Sequence, residues 1–152
     1  VAEKLVEQTG VIGEKIEISS YEIVNSEFVA SYIHAGNKLA TLVGLTKEAA
    51  DAGKDVAMQV AAMNPLGLDK EDVAEDVVAR EKELAIDMAR QEGKPEQMLE
   101  QIAMGRVNKF FKENTLLNQA FIKDGKKSVS QYLKDVDADL TVTSFKRVGL
   151  GV

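Results

Sequence analysis

Two stretches near the start of the chain indicate strands, and in the first of them apolar and polar residues alternate with a period of two. After Gly13, the residues Ile16, Ile18 and Val24 fall on one face, and polar residues fall on the other. This pattern predicts a strand with one solvent-exposed face. The second stretch, 28–45, predicts a pair of strands. They should turn at Ala35-Gly36-Asn37-Lys38, because Gly and Asn tolerate the positive φ that a hairpin turn needs.

Helical spacing is found on both sides of these stretches. Residues 1–9 predict the last turns of a helix that ends at Gly10. From Lys47 the apolar residues recur every three or four positions as far as Asn64. Pro65 predicts the end of this helix, because proline disfavours the α conformation in the residue before it.

The segment 66–112 is predicted to form a helical hairpin. A charged helix over 70–92 and a second helix over 96–113 are separated by Gly93-Lys94-Pro95, a sequence that breaks helices. Two helices joined by so short a turn should lie antiparallel. The first helix carries a narrow apolar seam of the kind that pairs with one other helix: Val73, Val77, Leu84 and Met88.

The start of that hairpin and the end of the chain complete the predicted order of elements. Asp69 followed by Asp72 indicates a helix start, since carboxylates are favourable near a helix N-terminus. Ser128 should cap a short helix that runs to Asp135, and 139–148 should form a closing strand. Because strands and helices are segregated, we predict an α+β fold: an antiparallel three- to four-stranded sheet packed with helices, with a projecting antiparallel helical hairpin.

Composition excludes several classes of protein. The chain has 152 residues, of which 45% are hydrophobic and 29% charged, as in ordinary globular domains. With no cysteine it can form neither disulfides nor thiolate metal sites, and this suits a reducing cytosol. It contains no apolar run long enough to span a membrane. A net charge of −6, with Lys126-Lys127 as too short a basic run to matter, argues against a nucleic-acid partner.

Candidate chemistry is sparse. His34 is the only histidine, and for a single histidine a role in packing or at an interface is favoured over catalysis. The chain contains no G-x-x-x-x-G-K-[ST] loop for phosphates. We therefore expect no catalytic residues, no metal site and no cofactor. The first residue is not Met, which suggests a piece of a longer chain.

Several segments resemble, in order along the chain, the motifs of one protein family. They are Ile12-Gly13-Glu14, Ser31-Tyr32-Ile33-His34-Ala35-Gly36, Ala57-Met58-Gln59-Val60-Ala61-Ala62-Met63-Asn64-Pro65, Gly93-Lys94-Pro95-Glu96, Gly105-Arg106-Val107-Asn108-Lys109-Phe110, Gln119-Ala120-Phe121-Ile122 and Phe145-Lys146-Arg147. Ala120 stands where the motif usually has proline. Together the segments cover nearly the whole chain, which is thus similar to the elongation factor Ts family in the later part of its core, or dimerisation, domain.

The resemblance implies a function and a partner. Residues 1–152 would be a single fragment of the core domain, with 66–112 as a hairpin insertion and without the family's N-terminal domain. The implied partner is elongation factor Tu in the cytoplasm, from which the family promotes GDP release by binding and not by bond chemistry. It implies that Tyr32, His34 and Gly36 lie at the contact. It also implies weak exchange by this fragment alone, which lacks the T-D-F-V motif of the first half of the core. The alternative is a structural homo-oligomerisation module, and an enzyme built from dispersed carboxylates is a further rival.

Overall fold

The computed structural model describes residues 1–151. Its helices and strands alternate in small groups, and two short 3₁₀ turns, Lys70–Asp72 and Glu96–Met98, precede the third and fourth helices. The elements, in chain order, are α1 (Ala2–Ile12), β1 (Phe28–Ile33), β2 (Leu39–Leu45), α2 (Ala50–Met63), α3 (Glu75–Gln91), α4 (Leu99–Asn114), β3 (Ala120–Phe121), β4 (Asp124–Ser128), α5 (Val129–Val136) and β5 (Val142–Gly149).

The main sheet has three antiparallel strands in the order β1-β2-β5, and β3 and β4 form a separate two-stranded sheet. The predicted α+β class and the antiparallel pairing are therefore confirmed. β1 and β2 form the predicted strand pair around 35–38, and β5 is the predicted closing strand. The small β3–β4 sheet was not predicted, because β3 has only two residues and β4 contains no apolar residue.

The core lies between the main sheet and helix α2. Val43 and Leu45 of β2 and Val56 and Val60 of α2 are fully buried, and Leu133 of α5 joins them. Alternate residues of a strand point to one face, so the odd-numbered residues of β2 meet the apolar face of α2. A buried hydrogen bond joins the sheet to helix α2, since Thr41 Oγ1 donates to the carbonyl of Ala57 at 2.8 Å. We call β1, β2, β5, α2 and α5 the sheet unit.

Helix α2 lies unusually close to the sheet at Gly53. A Cβ added to Gly53 would lie 2.6 Å from Ala30 Cβ and 2.9 Å from Leu45 Cδ1. Only glycine fits this contact without a shift of the layers. The helix ends at Asn64, which takes a left-handed conformation with φ 44°, and Pro65 follows, as predicted.

Helices α3 and α4, which we call the helix pair, contact each other more extensively than they contact any other helix or strand. Asp69 forms a capping box with Asp72, as the sequence indicated, but the box opens the 3₁₀ turn and α3 begins later, at Glu75. Ion pairs join Lys82 to Glu100 at 3.0 Å and Arg106 to Glu92 at 2.8 Å. The antiparallel, projecting arrangement of these helices stays a prediction.

The predicted apolar seam of the helix pair is wrong in detail. Leu84 is 51% exposed and Met88 is 45% exposed, whereas Ala85 and Ala89 are the buried residues of α3. Alanines let two helices approach closely, because the distance between helix axes depends on the side chains at the contact. Leu84 and Met88 of α3 consequently lie outside the contact.

Two predictions near the start of the chain are also wrong. The segment 14–24 forms no strand: Ile16 is half-buried and Ile18 is 57% exposed, and neither lies in a β-ladder. Apolar and polar residues do alternate in this segment, but no neighbouring strand forms the hydrogen bonds that define a sheet. Helix α1 runs past Gly10 and ends at Gly13, whose φ of 79° closes it in the left-handed conformation.

Candidate functional site

The turn between β1 and β2 places the three predicted site residues together. The amide of Asn37 donates to the carbonyl of His34 at 3.0 Å, and the amide of His34 donates to the carbonyl of Leu39 at 2.8 Å. Gly36 has φ 89°, which is the positive value that the third residue of a type II turn requires. A Cβ at Gly36 would meet nothing within 4 Å, so glycine is needed here for its backbone conformation and not for space.

Tyr32 and His34 act as a hydrogen-bonded pair on one face of the hairpin. They are two residues apart, so their side chains leave β1 and its extension on the same side. The Tyr32 hydroxyl and His34 Nδ1 are 3.0 Å apart, and the ring centroids are 6.0 Å apart. When Tyr32 donates this bond, a neutral His34 carries its proton on Nε2. Because His34 is exposed, that N–H is available as a donor to a second molecule.

These two side chains line one wall of a surface cavity of about 290 Å³. The rest of the wall is apolar and comes from β2, α2 and the β3–β4 turn: Leu39, Met58, Ala61, Ala62 and Ile122. Tyr32 is half-buried and also packs against the hydrophobic core, so it serves both the fold and the cavity. An apolar cavity with a few polar groups at its rim is the usual form of a pocket that receives a side chain.

Gln59 holds the far wall of the cavity in place. Its side chain is fully buried in α2, and its Nε2 donates to Gln119 Oε1 at 3.2 Å and to the Ala120 carbonyl at 3.1 Å. Its Oε1 accepts from the amide of Ile122 at 2.8 Å. Every polar atom of this buried amide therefore ties α2 to the segment 119–122. Sequence reasoning missed Gln59, although a glutamine between Ala57 and Val60 on an apolar helix face was a visible signal.

A second polar cluster lies one helical turn before Gln59 on the same face of α2. The Tyr132 hydroxyl donates to Asp55 Oδ2 at 2.9 Å, and its ring stacks on Phe121 with a centroid distance of 4.0 Å. Burial and the hydrogen bond to Asp55 raise the pKa of Tyr132 to about 12. Lys123 pairs with the same carboxylate. This cluster fixes α5 and the β3–β4 turn relative to α2, and the turn carries the cavity residue Ile122.

Sites of other kinds are not apparent in the part of the chain that the structure describes. Within residues 1–151, no group of three or more His, Asp or Glu side chains could hold a metal ion. In the same residues, no helix is both long enough and apolar enough to cross a membrane. In these residues the side chain of His34 has Tyr32 as its hydrogen-bond partner, and no carboxylate.

Fold and site together define a class of protein: an α+β chain in which the predicted residues border an apolar cavity rimmed by a tyrosine and a histidine. The family model described as elongation factor TS matches residues 1–152. The chain therefore belongs to the elongation factor Ts family.

Curated relatives agree with this assignment. The elongation factor Ts of Flavobacterium psychrophilum is 54% identical over 154 residues, which cover 99% of this chain and 56% of that protein. The elongation factor Ts of Porphyromonas gingivalis is 42% identical, with 99% of this chain and 55% of that protein covered. The elongation factor Ts of Thermobifida fusca is 43% identical, with 99% of this chain and 55% of that protein covered. This chain thus spans little more than half the length of the curated relatives it matches.

Proposed function

We propose that this chain supplies part of a guanine-nucleotide exchange factor that binds elongation factor Tu and promotes GDP release during translation. Residues 1–152 would be a single core-domain unit, with 66–112 as its hairpin insertion. The observation that carries the proposal is the cavity beside the hydrogen-bonded Tyr32–His34 pair in a member of the elongation factor Ts family.

Binding alone is sufficient for exchange. A partner that binds the nucleotide-free form of a GTPase more tightly than the GDP form must weaken GDP binding by the same factor. No bond is made or broken, so no nucleophile, metal or acid–base pair is needed from this chain. The cavity is suited to this task, because its walls belong to well-packed elements and it can receive an apolar side chain of the partner.

Each of the three residues has a separate role at the proposed contact. His34 donates a hydrogen bond to elongation factor Tu from Nε2, and Tyr32 orients the imidazole through Nδ1. Gly36 sets the turn that presents the pair, because a residue with a side chain is strained at φ 89°. His34 is therefore the contact residue, and the other two position it.

The test is the affinity of elongation factor Tu for His34→Ala, measured by titration calorimetry in the absence and presence of GDP. We expect the affinity for the nucleotide-free form to fall about tenfold, the usual cost of losing a hydrogen bond at a buried contact. The unfolding free energy should change by less than about 0.5 kcal/mol, because His34 is exposed. Ser31→Ala is the matched control, since Ser31 is an exposed residue on the other face of β1. Equal affinities for the two variants and the unaltered chain would disprove the role of His34.

One observation favours a second candidate, a homo-oligomerisation module. The face of the main sheet that points away from α2 carries Val29, which is 38% exposed, and Ile33, which is 63% exposed. Their cross-strand neighbours on β2 and β5 include Ala40 and Val148, so the patch continues across the sheet. Ser31 and Lys146 interrupt this face between Val29 and the row Ile33, Ala40 and Val148. The apolar row is the part that could pair with a second copy.

Sedimentation equilibrium separates the two candidates. If the sheet face makes a dimer, Ile33→Lys should convert it to a monomer while binding of elongation factor Tu is kept. If His34→Ala leaves the affinity for elongation factor Tu unchanged and Ile33→Lys abolishes a firm dimer, the oligomerisation module is the better description.

A further inference from the structure

Four lysines from three parts of the chain converge on one surface cleft. Lys126 and Lys127 lie on β4, and the fold brings Lys70 from the 3₁₀ turn and Lys112 from α4 beside them. The cleft has a volume of about 470 Å³. No lining residue is acidic, although the chain as a whole carries a net charge of −6. We call this feature the lysine cleft.

Only one of the four lysines in the cleft forms an ion pair with a carboxylate, although Asp124 lies beside the cleft and accepts from the amide of Lys126 at 3.2 Å. Lys127 pairs with Asp135, and this hydrogen bond raises the pKa of Lys127. For Lys70, Lys112 and Lys126, no carboxylate oxygen of residues 1–151 lies within 4.0 Å of the ammonium group. Lys70 Nζ instead lies 5.9 Å from the centroid of the Phe111 ring. Three ammonium groups are thus available to an anion.

The start of helix α5 also borders the cleft, but its backbone supplies no free donors there. The amide of Val129 donates to the Gln119 carbonyl at 3.0 Å, and that of Ser130 to the Leu117 carbonyl at 3.0 Å. The amide of Gln131 donates to Ser128 Oγ at 3.2 Å in a capping box. The donors that remain for an anion include the lysines, with the side-chain amides of Asn108 and Gln131 beside them.

We propose that the lysine cleft binds a short linear phosphate chain, such as a di- or triphosphate group. Lysine binds phosphate as a point charge, and the cleft contains no arginine for the two-pronged recognition of a carboxylate. It contains no aromatic side chain on which a base could stack. The phosphates alone are therefore recognised, whether they are free or belong to a nucleotide. This site lies apart from the cavity at Tyr32 and His34 and does not depend on the proposed function.

The test is calorimetric titration of the whole 152-residue chain with sodium tripolyphosphate at an ionic strength of about 50 mM, where surface charges are only partly screened. We expect saturable binding with one tripolyphosphate per chain. Lys112→Gln and Lys126→Gln should each weaken it by up to about fivefold, the cost of one exposed ammonium–phosphate contact. Lys134→Gln is the matched control, because Lys134 is exposed on α5 but does not line the cleft. It removes the same charge and should change the affinity less than about twofold.

Two further measurements sharpen the outcome. In a ¹H–¹⁵N spectrum, tripolyphosphate should shift the amides of Gly125 and Lys126, which line the cleft. ATP should bind no more tightly than tripolyphosphate, because the base has no partner. The proposal fails if titration does not saturate, if Lys134→Gln weakens binding as much as Lys112→Gln, or if ATP binds much more tightly. It also fails if an oligoglutamate peptide binds in preference to tripolyphosphate. Equal melting temperatures of the variants exclude loss of the fold as a cause.

Discussion

The sheet unit and the helix pair belong to one chain but are stabilised in different ways. In the sheet unit, Val43, Leu45, Val56 and Val60 are fully removed from solvent. In the helix pair, three of the five buried residues are alanines, and the ion pairs Lys82–Glu100 and Arg106–Glu92 also join the helices. Burial of a large apolar side chain contributes about 1.5–3 kcal/mol, whereas an exposed ion pair contributes about 0–1 kcal/mol.

This difference indicates where each region can vary. The proposed cavity for elongation factor Tu is built on the sheet unit, whose close packing holds its walls in fixed positions. The helix pair contacts the rest of the fold less, so changes there should be tolerated by the core. Substitutions of the same type, made once in each region, test the comparison directly.

The largest contrast is expected for leucine-to-alanine changes. Leu45 is fully buried in β2, so Leu45→Ala should lower the free energy of unfolding by about 3 kcal/mol through lost burial and the cavity left behind. Leu84 is 51% exposed in α3, so Leu84→Ala should lower it by less than about 0.5 kcal/mol. Urea denaturation measures both. Similar losses for the two variants would mean that the helix pair is as well packed as the sheet unit.

Glycine-to-alanine changes should have opposite signs in the two regions. Gly53→Ala forces a Cβ to within 2.6 Å of Ala30 Cβ, and this overpacking should destabilise the chain by about 1–2 kcal/mol despite the better helix former. At Gly105, inside α4, a Cβ meets nothing within 4 Å. Gly105→Ala should therefore stabilise the chain by about 0.5–1 kcal/mol. Melting temperatures that fall for both variants would contradict the open surface around Gly105.

The two regions also differ in how well their patterns predicted the fold. The helix α2 followed from periodicity, because it buries one face against the sheet, and the strands β1 and β2 followed from the turn residues between them. The helix pair followed from helix-breaking residues, but its contact face did not follow, because hydropathy ranks Leu84 above Ala85 while close packing selects the smaller side chain. The strand predicted at 14–24 was wrong, because alternation shows two faces but not a pairing partner.

The candidate site could be predicted only in its local part. Tyr32 and His34 are two residues apart on a strand, so their shared face is readable from the sequence. The other wall of the cavity depends on contacts between distant segments, such as Gln59 with Ile122, which no local pattern encodes. The same limit applies to the lysine cleft, where Lys126-Lys127 looked too short to matter until Lys70 and Lys112 were placed beside it.

The sheet unit should respond to high pH through Tyr132. Its pKa is raised from 10.0 to about 12, so between these values the unfolded chain loses a proton that the folded chain keeps. The contribution of Tyr132 to the free energy of unfolding is fully present below pH 10 and falls as the pH rises towards 12. Because the hydroxyl is partly solvated, we expect the loss from this group to be about 1 kcal/mol by pH 11. Urea denaturation at pH 8, 10 and 11 should show a shallower fall for Tyr132→Phe than for the unaltered chain. Tyr21→Phe, which removes a hydroxyl from a residue 81% exposed, is the control.

The smallest effect is expected for the ion pair that joins the two helices. Lys82 Nζ lies 3.0 Å from Glu100 Oε2, and the side chains are 41% and 69% exposed. A double-mutant cycle with Lys82→Ala and Glu100→Ala should give a coupling energy of about 0.2–1 kcal/mol, which should vanish in about 1 M salt. In the sheet unit, the carboxylate of Asp55 is only 18% exposed and also accepts the Tyr132 hydroxyl, so its coupling to Lys123 should be larger and should persist in salt. If the Lys82–Glu100 coupling energy exceeds that of Asp55 with Lys123, then ion pairs and not buried side chains stabilise the helix pair. The helix pair and the sheet unit would then be stabilised by different interactions, and not by different amounts of the same one.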